Sequence, residues 1–586
     1  MTVNYEIREI PLSSRLLKNR ADAFLGSQGL SLDAGLDYLA GVYDSEDSLV
    51  GCAGLDGSLI KCVAVSDALR GENIAASLVS HLFSRLGPDS REAMLFTKPG
   101  NAALFRALGF HEAGRSAKAV MMLADAGRLR RYTDMLASLP RGSRNGVIVM
   151  NANPMTLGHL HLIRHAAARV DALTVIPLDD NPLTLFSCAA RTEMLRRATV
   201  SIPNVTVADA GPFTISAATF PSYFLKEKSD VADAQIALDL DIFIRHIAPA
   251  LNASVRFAGS EPSDPLTALY NRRMQELLPA AGIEFEEIPR LEAEGVPVSA
   301  SRVRTLTSAG RLGNAIGMVP PASLPFLLAR GAASALQREL DLTPKPGLVD
   351  RDDSGAHSDM DHVLMSRSIR SLEPHFVRMA AIAMDDDSLP VMAERLRNAG
   401  IEAERDMMRA TGGVNTHRGA IFSMGLALAS VARLLADGKT LLPQAIAEGI
   451  SAVAAMIPDS RDTHGASVRS RHNAPGALQT ARDGYATLFD CWLPALRRDR
   501  AAGTDARETE IRLLLLIITT LSDTNAIYRV GPEEARNACR EAARLLDDFS
   551  IEGVRTLNKD FTARGISHGG AADMLALTLF LDSILL

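Results

Sequence analysis

Gly146-Val-Ile-Val-Met-Asn-Ala-Asn-Pro-Met-Thr-Leu-Gly-His159 is the stretch that decides the fold of the middle of this 586-residue chain. Its first five residues form an apolar run typical of a buried strand, and a helical pattern over residues 160–168 follows directly. A strand that runs into a helix at a Gly-His pair is typical of the entry to a nucleotide-binding α/β sheet. We therefore predict an α/β domain with a parallel sheet over residues 140–322.

Two short motifs lie near the ends of this predicted domain. Thr156-x-Gly158-His159 resembles the (H/T)xGH signature of adenylyl- and cytidylyltransferases, and Val298-Ser-Ala-Ser-Arg-Val-Arg304 resembles their ISxSxxR phosphate-gripping motif. A hydroxyl and an imidazole at a helix N-terminus stabilise charge on an α-phosphate, and glycine admits the nucleotide to the backbone. The alternative is that His159 and Ser299 only cap helices.

This resemblance implies a Rossmann-like nucleotidyltransferase domain in which a small set of residues acts on ATP. The implied set is Thr156 and His159 as catalytic groups, with Asn153, Gly158, Ser299, Ser301 and Arg304 as nucleotide-binding groups.

The first 135 residues carry a different signature. Residues 48–55 and 59–65 are short runs of β-branched or small residues separated by Asp-Gly, which predicts a hairpin. The turn Arg70-Gly71 and a helical pattern follow, and such a strand, turn and helix N-terminus can cradle a pyrophosphate. The order resembles the coenzyme A loop of GCN5-related acetyltransferases, with Asn73 where that family usually has glycine. The resemblance implies an α+β domain over residues 1–135; the alternative is a connection that binds no ligand.

Residues 211–226 and 256–271 have a polar and aromatic texture that is unusual for a plain core. Together with the acetyltransferase-like start, the layout is similar to citrate lyase ligase over about residues 1–322. The resemblance implies that ATP and acetate form acetyl-adenylate, and that the acetyl group passes to the prosthetic thiol of the acyl carrier subunit of citrate lyase. Lys226 is a candidate to meet phosphate or acetate charge, or else a solvated surface lysine.

The character of the sequence changes at residues 317–325. Pro320 and Pro321 remove backbone donors and restrict the residue before them, so a helix cannot continue through this seam. Beyond it Leu, Ala, Met and Arg dominate with helical periodicity, and alternating strand patterns disappear. We predict an all-α domain over residues 326–586, and therefore three domains in all.

Dense polar strings mark this helical segment. They are Thr343-Pro-Lys-Pro-Gly-Leu-Val-Asp350, Gly355-Ala-His-Ser-Asp-Met-Asp361, Thr411-Gly-Gly-Val-Asn-Thr-His-Arg-Gly419, Asp523-Thr-Asn525 and Ser567-His-Gly-Gly-Ala-Ala-Asp573. Carboxylates, cationic side chains and glycines in such strings suit a polyphosphate with magnesium, although each string alone also suits helix capping. Together they resemble triphosphoribosyl-dephospho-coenzyme A synthase, with His568 where that pattern has proline.

The implied reaction joins ATP to 3′-dephospho-coenzyme A and releases adenine. This glycosyl transfer needs a base for the attacking hydroxyl, a proton or hydrogen-bond donor for adenine and a clamp for the triphosphate. The individual roles stay open. The candidates are Asp359, Asp361, Glu404 and His417 as catalytic groups, Lys345, Asn415, Arg418, Gly569 and Gly570 as binding groups, and Asp359, Asp361 and Asp523 as magnesium ligands.

Composition limits the partners and the compartment. Asp plus Glu (69) exceed Lys plus Arg (62), a balance unlike that of nucleic-acid binders. The five cysteines lack CxxC spacing, which argues against structural zinc or disulfides and indicates a reducing cytoplasm. The start lacks the apolar core of a signal peptide, and the apolar run over residues 513–521 is too short to span a membrane.

The sequence leaves two alternatives open, one for the carrier that the chain serves and one for the role of residues 1–135. Both halves of the chain could serve the acyl carrier of malonate decarboxylase, which uses a similar prosthetic group. Residues 1–135 could also dock a carrier without taking part in catalysis.

Overall fold

A computed structural model describes residues 5–180, 184–215, 220–221, 223–224, 228–261, 264–293, 296–458 and 476–585. The chain divides into two compact units, Met1–Val298 and Ser299–Leu586. Lys226 lies outside the described residues. The first unit contains two sheets with their helices, and the second is helical.

The first sheet has seven strands in the order β1-β2-β3-β4-β5-β7-β6. Its strands are β1 Glu6–Glu9, β2 Tyr38–Tyr43, β3 Leu49–Asp56, β4 Leu59–Val65, β5 Met94–Thr97, β6 His111–Arg115 and β7 Val120–Leu123. Only β4 and β5 pair in parallel; every other neighbouring pair is antiparallel. The predicted hairpin is confirmed, since β3 and β4 pair antiparallel around Gly57, whose φ is 55°.

The second sheet has five strands, all parallel, in the order β10-β9-β8-β11-β12. Its strands are β8 Asn145–Met150, β9 Ala172–Pro177, β10 Val205–Val207, β11 Val255–Gly259 and β12 Glu284–Ile288, and a short pair β13 Glu292–Ala293 and β14 Val296–Pro297 follows. The predicted parallel α/β architecture is confirmed. Because β8 is central, the loop that leaves its carboxyl end lies at the middle of the sheet edge where such folds bind ligands.

The helices of the first unit cover these sheets. They are α1 Arg15–Ser27, α2 Ile74–Leu86, α3 Ala102–Ala107, α4 Ala126–Ala137, α5 Leu157–Ala167, α6 Cys188–Thr199, α7 Lys228–Ile242, α8 Ala248–Leu251 and α9 Pro265–Ala280. The two sheets share one core. A β-carbon at Gly114 in β6 would lie 2.3 Å from Ile242 at the end of α7, so these elements meet at van der Waals distance.

In the described part of the second unit all regular secondary-structure elements are helices. They are α10 Ala300–Ser308, α11 Gly313–Ile316, α12 Leu324–Asp341, α13 His362–Met384, α14 Leu389–Ala410, α15 Arg418–Ala436, α16 Pro443–Ala455, α17 Ala477–Arg482, α18 Leu493–Ala501, α19 Ala506–Thr520, α20 Thr524–Val530, α21 Pro532–Asp547, α22 Ile551–Ala563 and α23 Gly569–Leu585. The predicted helical C-terminal region is confirmed.

The linker predicted over residues 317–325 is shorter in the structure than the sequence pattern indicates. A single 3₁₀ turn, Pro321–Ser323, follows α11, and α12 already begins at Leu324 with Pro325 in its first turn. Proline is tolerated there because the first-turn N–H groups have no intrahelical partner. The boundary between the compact units lies before the seam, so α10 and α11 pack with the C-terminal helices.

One described helix, α15, is long and apolar enough to cross a membrane, and a bent pair of α19 and α20 passes the same test. Most of α15 is buried inside the second unit, with 72% of its most apolar window covered. Its apolar character is therefore that of a central core helix in a helical bundle.

Candidate active sites

The parallel sheet places Thr156 and His159 directly beyond the carboxyl end of β8. Thr156 is the N-cap of α5, and its Oγ1 accepts a hydrogen bond from the backbone N–H of His159 at 3.4 Å. In return Nδ1 of His159 accepts from the backbone N–H of Thr156 at 3.0 Å. Because Nδ1 is an acceptor, the neutral ring carries its proton on Nε2. This reciprocal cap holds the hydroxyl and the imidazole at the start of one helix.

Gly158 contacts the main chain of a distant segment. A β-carbon at this position would lie 2.8 Å from the carbonyl oxygen of Val298, which leaves no room for a side chain. Val298 is the residue before Ser299 in the second motif. The close backbone approach that requires glycine is therefore made by the chain itself, a reason that the sequence did not reveal.

A buried arginine that sequence reasoning missed organises the loops around this site. Arg191 in α6 is fully buried and donates six hydrogen bonds of 2.8–3.2 Å. Its acceptors are the carbonyl oxygens of Asn151, Leu178, Asp179 and Phe186 and the side-chain oxygens of Asn151 and Asp180. No pattern in the sequence separates Arg191 from the exposed arginines that follow it in α6.

Asn153, a predicted nucleotide-binding residue, is buried and faces the same loops. Its Oδ1 accepts a hydrogen bond from the backbone N–H of Phe186 at 3.1 Å. Asn153 and Arg191 therefore both tie the segment after β8 to the segment before α6. This linkage keeps the loops at the carboxyl edge of β8 and β9 in one arrangement.

The second motif opens α10. Ser299 is the N-cap, and its Oγ accepts from the backbone N–H of Arg302 at 3.2 Å. Arg304 donates from Nη2 to Oγ of Ser301 at 2.9 Å, and burial lowers the pKa of its guanidinium. The motif thus presents a helix N-terminus with two hydroxyls and an arginine, a combination suited to phosphate oxygens.

In the first sheet, Arg70 and Gly71 lie in the loop between β4 and α2. Arg70 is exposed and forms an ion pair with Asp67, and Gly71 has a φ of 98° with open space around it. Asn73, the departure from the family pattern, adopts the left-handed conformation with a φ of 58° and caps α2 without a side-chain hydrogen bond. Asn73 therefore takes up the backbone conformation that glycine would adopt more readily.

In the helical unit, the predicted phosphate ligand Lys345 has a buried partner. Its ammonium lies 2.5 Å from Oε1 of Glu339 in α12 and donates to the carbonyl oxygen of the same residue at 2.8 Å. Both side chains are almost completely buried. The ion pair fastens the Thr343–Asp350 string to the end of α12.

His417 stands at the N-cap of α15 and is buried. Its Nδ1 is 2.8 Å from Oγ of Ser368 in α13, whereas Nε2 has no hydrogen-bond partner within the described part of the chain. Burial lowers the pKa of His417 to about 4, and the nearby positive charge of Lys345 acts in the same direction. The ring is therefore neutral at ordinary pH.

The two glycine strings meet at carboxylates from other helices. Asp573 in α23 lies against Gly419, where a β-carbon would be 2.0 Å from its Oδ2. A β-carbon at Gly570 would lie 3.0 Å from Oδ2 of Asp523, while one at Gly569 would lie 3.2 Å from Asn525. Burial raises the pKa of Asp573 well above its usual range, with Glu339 and Asp523 adding to the effect. Both glycine strings are therefore packed closely around charged side chains.

His568, the departure from the synthase pattern, is completely buried just before α23. Neither ring nitrogen has a hydrogen-bond partner among the residues that the structure covers, and the ring packs 5.6 Å from the ring of Phe561. Burial lowers its pKa, while the charge of Asp523 opposes that change. The imidazole is therefore buried against Phe561, close enough to Asp523 for that charge to act on it.

The remaining predicted groups are closer to solvent. Asp361 caps α13 by accepting from the N–H of Leu364 at 2.7 Å, and Asp359 is exposed 3.8 Å from His357. Glu404 pairs with Arg418, whose N–H donates to Oδ1 of Asn415 at 3.3 Å. The structure thus joins Glu404, Asn415 and Arg418 into one contact group.

The three predicted magnesium ligands are not brought together. Across the described ranges, no group of three or more His, Cys, Asp or Glu side chains is arranged to hold a metal ion. The carboxylate of Asp523 accepts instead from the backbone N–H groups of Asn525, Ala526 and Ala571. These residues do not fit a three-carboxylate magnesium site.

Comparison with known proteins accounts for both units. Residues 145–327 match the family model of the citrate lyase ligase C-terminal domain, and residues 325–585 match that of ATP:dephospho-CoA triphosphoribosyl transferase. The [citrate [pro-3S]-lyase] ligase of Klebsiella pneumoniae is 39% identical over 324 residues, which is 54% of this chain and 94% of that protein. The probable 2-(5''-triphosphoribosyl)-3'-dephosphocoenzyme-A synthase of Pseudomonas syringae pv. tomato is 39% identical over 275 residues, or 45% of this chain and 93% of that protein. The chain belongs to both families.

It is a bifunctional enzyme of citrate lyase activation, with a ligase domain and a synthase domain on one polypeptide. A crystal structure of NadR protein in complex with NAD and AMP-PNP is also similar, with 14% identity and a TM-score of 0.25, covering 52% of this chain and 80% of that one. The ligase and synthase family models meet at residues 325–327, next to the proline-containing turn. Residues 299–327 therefore belong to the ligase family model and to the second compact unit.

Proposed function

We propose that the ligase part makes acetyl-adenylate from ATP and acetate and passes the acetyl group to the prosthetic thiol of the citrate lyase acyl carrier. The observation that carries this proposal is the reciprocal cap of Thr156 and His159 at the carboxyl end of β8. A hydroxyl and an imidazole at a helix N-terminus are suited to the charge that develops on an α-phosphate during displacement.

The first step forms one bond and breaks one. A carboxylate oxygen of acetate attacks the α-phosphorus of ATP, and the bond to the bridging oxygen of pyrophosphate breaks. Thr156 and His159 stabilise the charge on the α-phosphate, while Ser299, Ser301 and Arg304 hold phosphate oxygens. Val298, whose carbonyl oxygen lies against Gly158, is the first residue of the second motif.

The second step transfers the acetyl group. The thiolate of the prosthetic group attacks the acetyl carbon, and AMP leaves with the electron pair of the mixed anhydride. We assign Arg70 and Gly71 to the phosphates of this coenzyme A-like group, which the open loop before α2 supports. Arg70→Ala should weaken carrier binding and leave acetyl-adenylate formation intact if the first sheet only docks the carrier, whereas loss of both would contradict docking alone.

The synthase part joins ATP to 3′-dephospho-coenzyme A. A ribose hydroxyl of the acceptor attacks C1′ of the ATP ribose, the bond from C1′ to N9 of adenine breaks, and the triphosphate stays attached. Asp359, Asp361 and Glu404 are the candidate bases, and Asn415, Arg418, Gly569 and Gly570 contact phosphates. His417 is neutral and buried, which suits a hydrogen-bonding role better than one as a cation.

The buried ion pair of Lys345 distinguishes it from the other candidate phosphate-binding groups. Lys345 acts at the site through its buried pair with Glu339, since its ammonium is already engaged. ATP carries its own phosphate ligands for magnesium, and Asp359, Asp361 and Asp523 do not form a site that would hold the ion by themselves.

Two assays on the full chain test the proposal. Acetate-dependent exchange of pyrophosphate into ATP reports acetyl-adenylate formation, and adenine release from ATP with 3′-dephospho-coenzyme A reports the synthase. His159→Ala should abolish exchange and leave adenine release unchanged, and Asp359→Ala should do the reverse. Loss of both activities in either variant would contradict two independent sites, and loss of neither would contradict the roles proposed for His159 and Asp359. Acetylation of a malonate decarboxylase carrier but not of the citrate lyase carrier would replace the proposed partner.

A further inference from the structure

A groove of about 450 Å³ in the helical unit contains none of the motif residues. Helices α10, α12, α13 and α23 form its walls. Its floor is apolar, with Leu312, Ile369, Leu579 and the small Gly331 and Ala335. A cavity of this size is within the range of small-molecule sites, and polar and charged side chains surround its apolar floor.

Polar side chains run along one face of α12 beside this groove. Arg330, Ser334, Gln337, Arg338 and Asp341 all line it, and their spacing of three to four residues places them on the same side of the helix. The stripe extends over about 16 Å at about 1.5 Å per residue. The groove is therefore suited to an elongated ligand that meets donors and acceptors along its length.

The charge of the groove is positive. It contains Arg330, Arg338 and Arg370 against Asp341 and Glu373, and burial raises the pKa of Glu373 although Arg330 opposes this. Arg330 pairs with Glu373 at 3.1 Å, and Arg338 pairs with Glu510 outside the groove. Arg370 is exposed and has no ion-pair or hydrogen-bond partner in the ranges that the structure describes. An anionic group of a ligand could therefore pair with the guanidinium of Arg370.

The groove ends at the synthase motif loop. Asp341 lines the groove and accepts hydrogen bonds from Nε2 of His362 and from Nη2 of Arg351, both at 2.8 Å. Those two residues flank the string Gly355-Ala-His-Ser-Asp-Met-Asp361. One end of the groove therefore lies beside the residues that flank this string, which contains the candidate bases Asp359 and Asp361.

We propose that this groove binds the acceptor substrate, with the diphosphate of 3′-dephospho-coenzyme A at Arg370 and the pantetheine arm along α12. The inference rests on the proposed synthase function and adds the place where its second substrate binds. An extended arm with two amides and an apolar stem matches the alternation of Ser334 and Gln337 with the apolar floor. The triphosphate of ATP fits less well, because only one of the three guanidinium groups lacks a carboxylate partner.

Two substitutions in the full chain test the site. Arg370→Glu reverses the unpartnered charge, and Ser334→Phe fills the groove from an exposed position on α12. Both should raise the Kd for 3′-dephospho-coenzyme A, measured by titration calorimetry without ATP, by about tenfold or more. Both should raise the KM for that substrate in adenine release and leave the KM for ATP unchanged.

Arg367→Glu is the matched control, because Arg367 is exposed on the same helix and does not line the groove. It should bind the acceptor as the wild type does. Wild-type affinity in both groove variants, an equal effect of the control, or weaker ATP binding instead would overturn the proposal. A wild-type chain that binds no acceptor and releases no adenine would refute the synthase function itself, which is a distinguishable result.

Discussion

The ammonium of Lys345 lies 2.5 Å from Oε1 of Glu339, and about 1% and 4% of the two side chains are exposed. A salt bridge this deeply buried stabilises less than its geometry suggests, but removing one partner leaves a charge without compensation. The pair also joins the first synthase motif to α12 at its buried end.

Lys345→Met should therefore destabilise the helical unit by about 3–5 kcal/mol. Urea unfolding can be followed by the fluorescence of Trp492, which is the one tryptophan of the chain and is buried in this unit. Lys439→Met is the control, because Lys439 pairs with Asp437 at 3.0 Å on the surface, and it should change stability by about 0.5 kcal/mol or less. Equal effects of the two variants would contradict a buried charge pair.

Arg191→Met should lower acetate-dependent pyrophosphate exchange about 100-fold, because the loops after β8 and β9 lose their shared donor. Arg191→Lys should not restore the wild-type exchange rate. The three protons of an ammonium group cannot reach the six acceptors that surround the planar guanidinium. Arg197→Met, which removes an exposed ion pair with Glu193 in the same helix, should leave exchange near the wild-type rate. Adenine release should be unchanged in all three variants, and a parallel loss there would point to general unfolding.

Stability should depend on pH through His417. Its folded pKa of about 4 lies below the ordinary value of 6.5, so the unfolded state binds the proton first and stability is lost as pH falls through that window. Between pH 8 and pH 5 the wild type should lose about 2 kcal/mol that His417→Asn does not lose. The comparison must be made between the two proteins at each pH, because the raised pKa of Asp573 acts in the opposite direction. If the difference in free energy of unfolding between the two proteins stayed constant from pH 8 to pH 5, the lowered pKa of His417 would be contradicted.

Gly419→Ala should displace Asp573, because the added β-carbon would stand 2.0 Å from its Oδ2. We expect a loss of about 1–3 kcal/mol in stability together with a marked fall in adenine release. Gly400→Ala provides the contrast, since Gly400 lies inside α14 with open space around it. That variant should gain about 0.5–1 kcal/mol and keep full activity. Increased stability in both variants would contradict this prediction, because it would show that the first turn of α15 accommodates the added methyl group.

The sequence predicted the parallel sheet and the helical unit well, because strand and helix periods are local properties. The apolar run before Met150 and the Gly-His pair identified the strand and the helix that carry Thr156 and His159, and the structure places them as expected. The motif strings of the helical unit were equally visible as sequence.

What the sequence could not show is which partner each polar residue has. Lys345 was predicted at phosphate but lies against Glu339, and that pairing depends on how the Thr343–Asp350 string folds back onto α12. The residues around Arg191 in the sequence resemble those around the exposed arginines later in α6, so only its burial in the structure distinguishes it. The seam was visible as a Pro-Pro pair, yet the packing of α10 and α11 with later helices is a long-range property that no local pattern encodes.

The placement of α10 and α11 makes the fusion difficult to undo. A chain divided after Val298 would give the ligase product a complete pair of sheets without Ser299, Ser301 and Arg304. A chain divided at the proline turn would keep those residues but strip from the synthase product the Leu312 that packs against Gly331 in α12. Residues 299–323 therefore carry the second ligase motif in the sequence and also pack with the synthase helices, so either cut removes them from one of the two products.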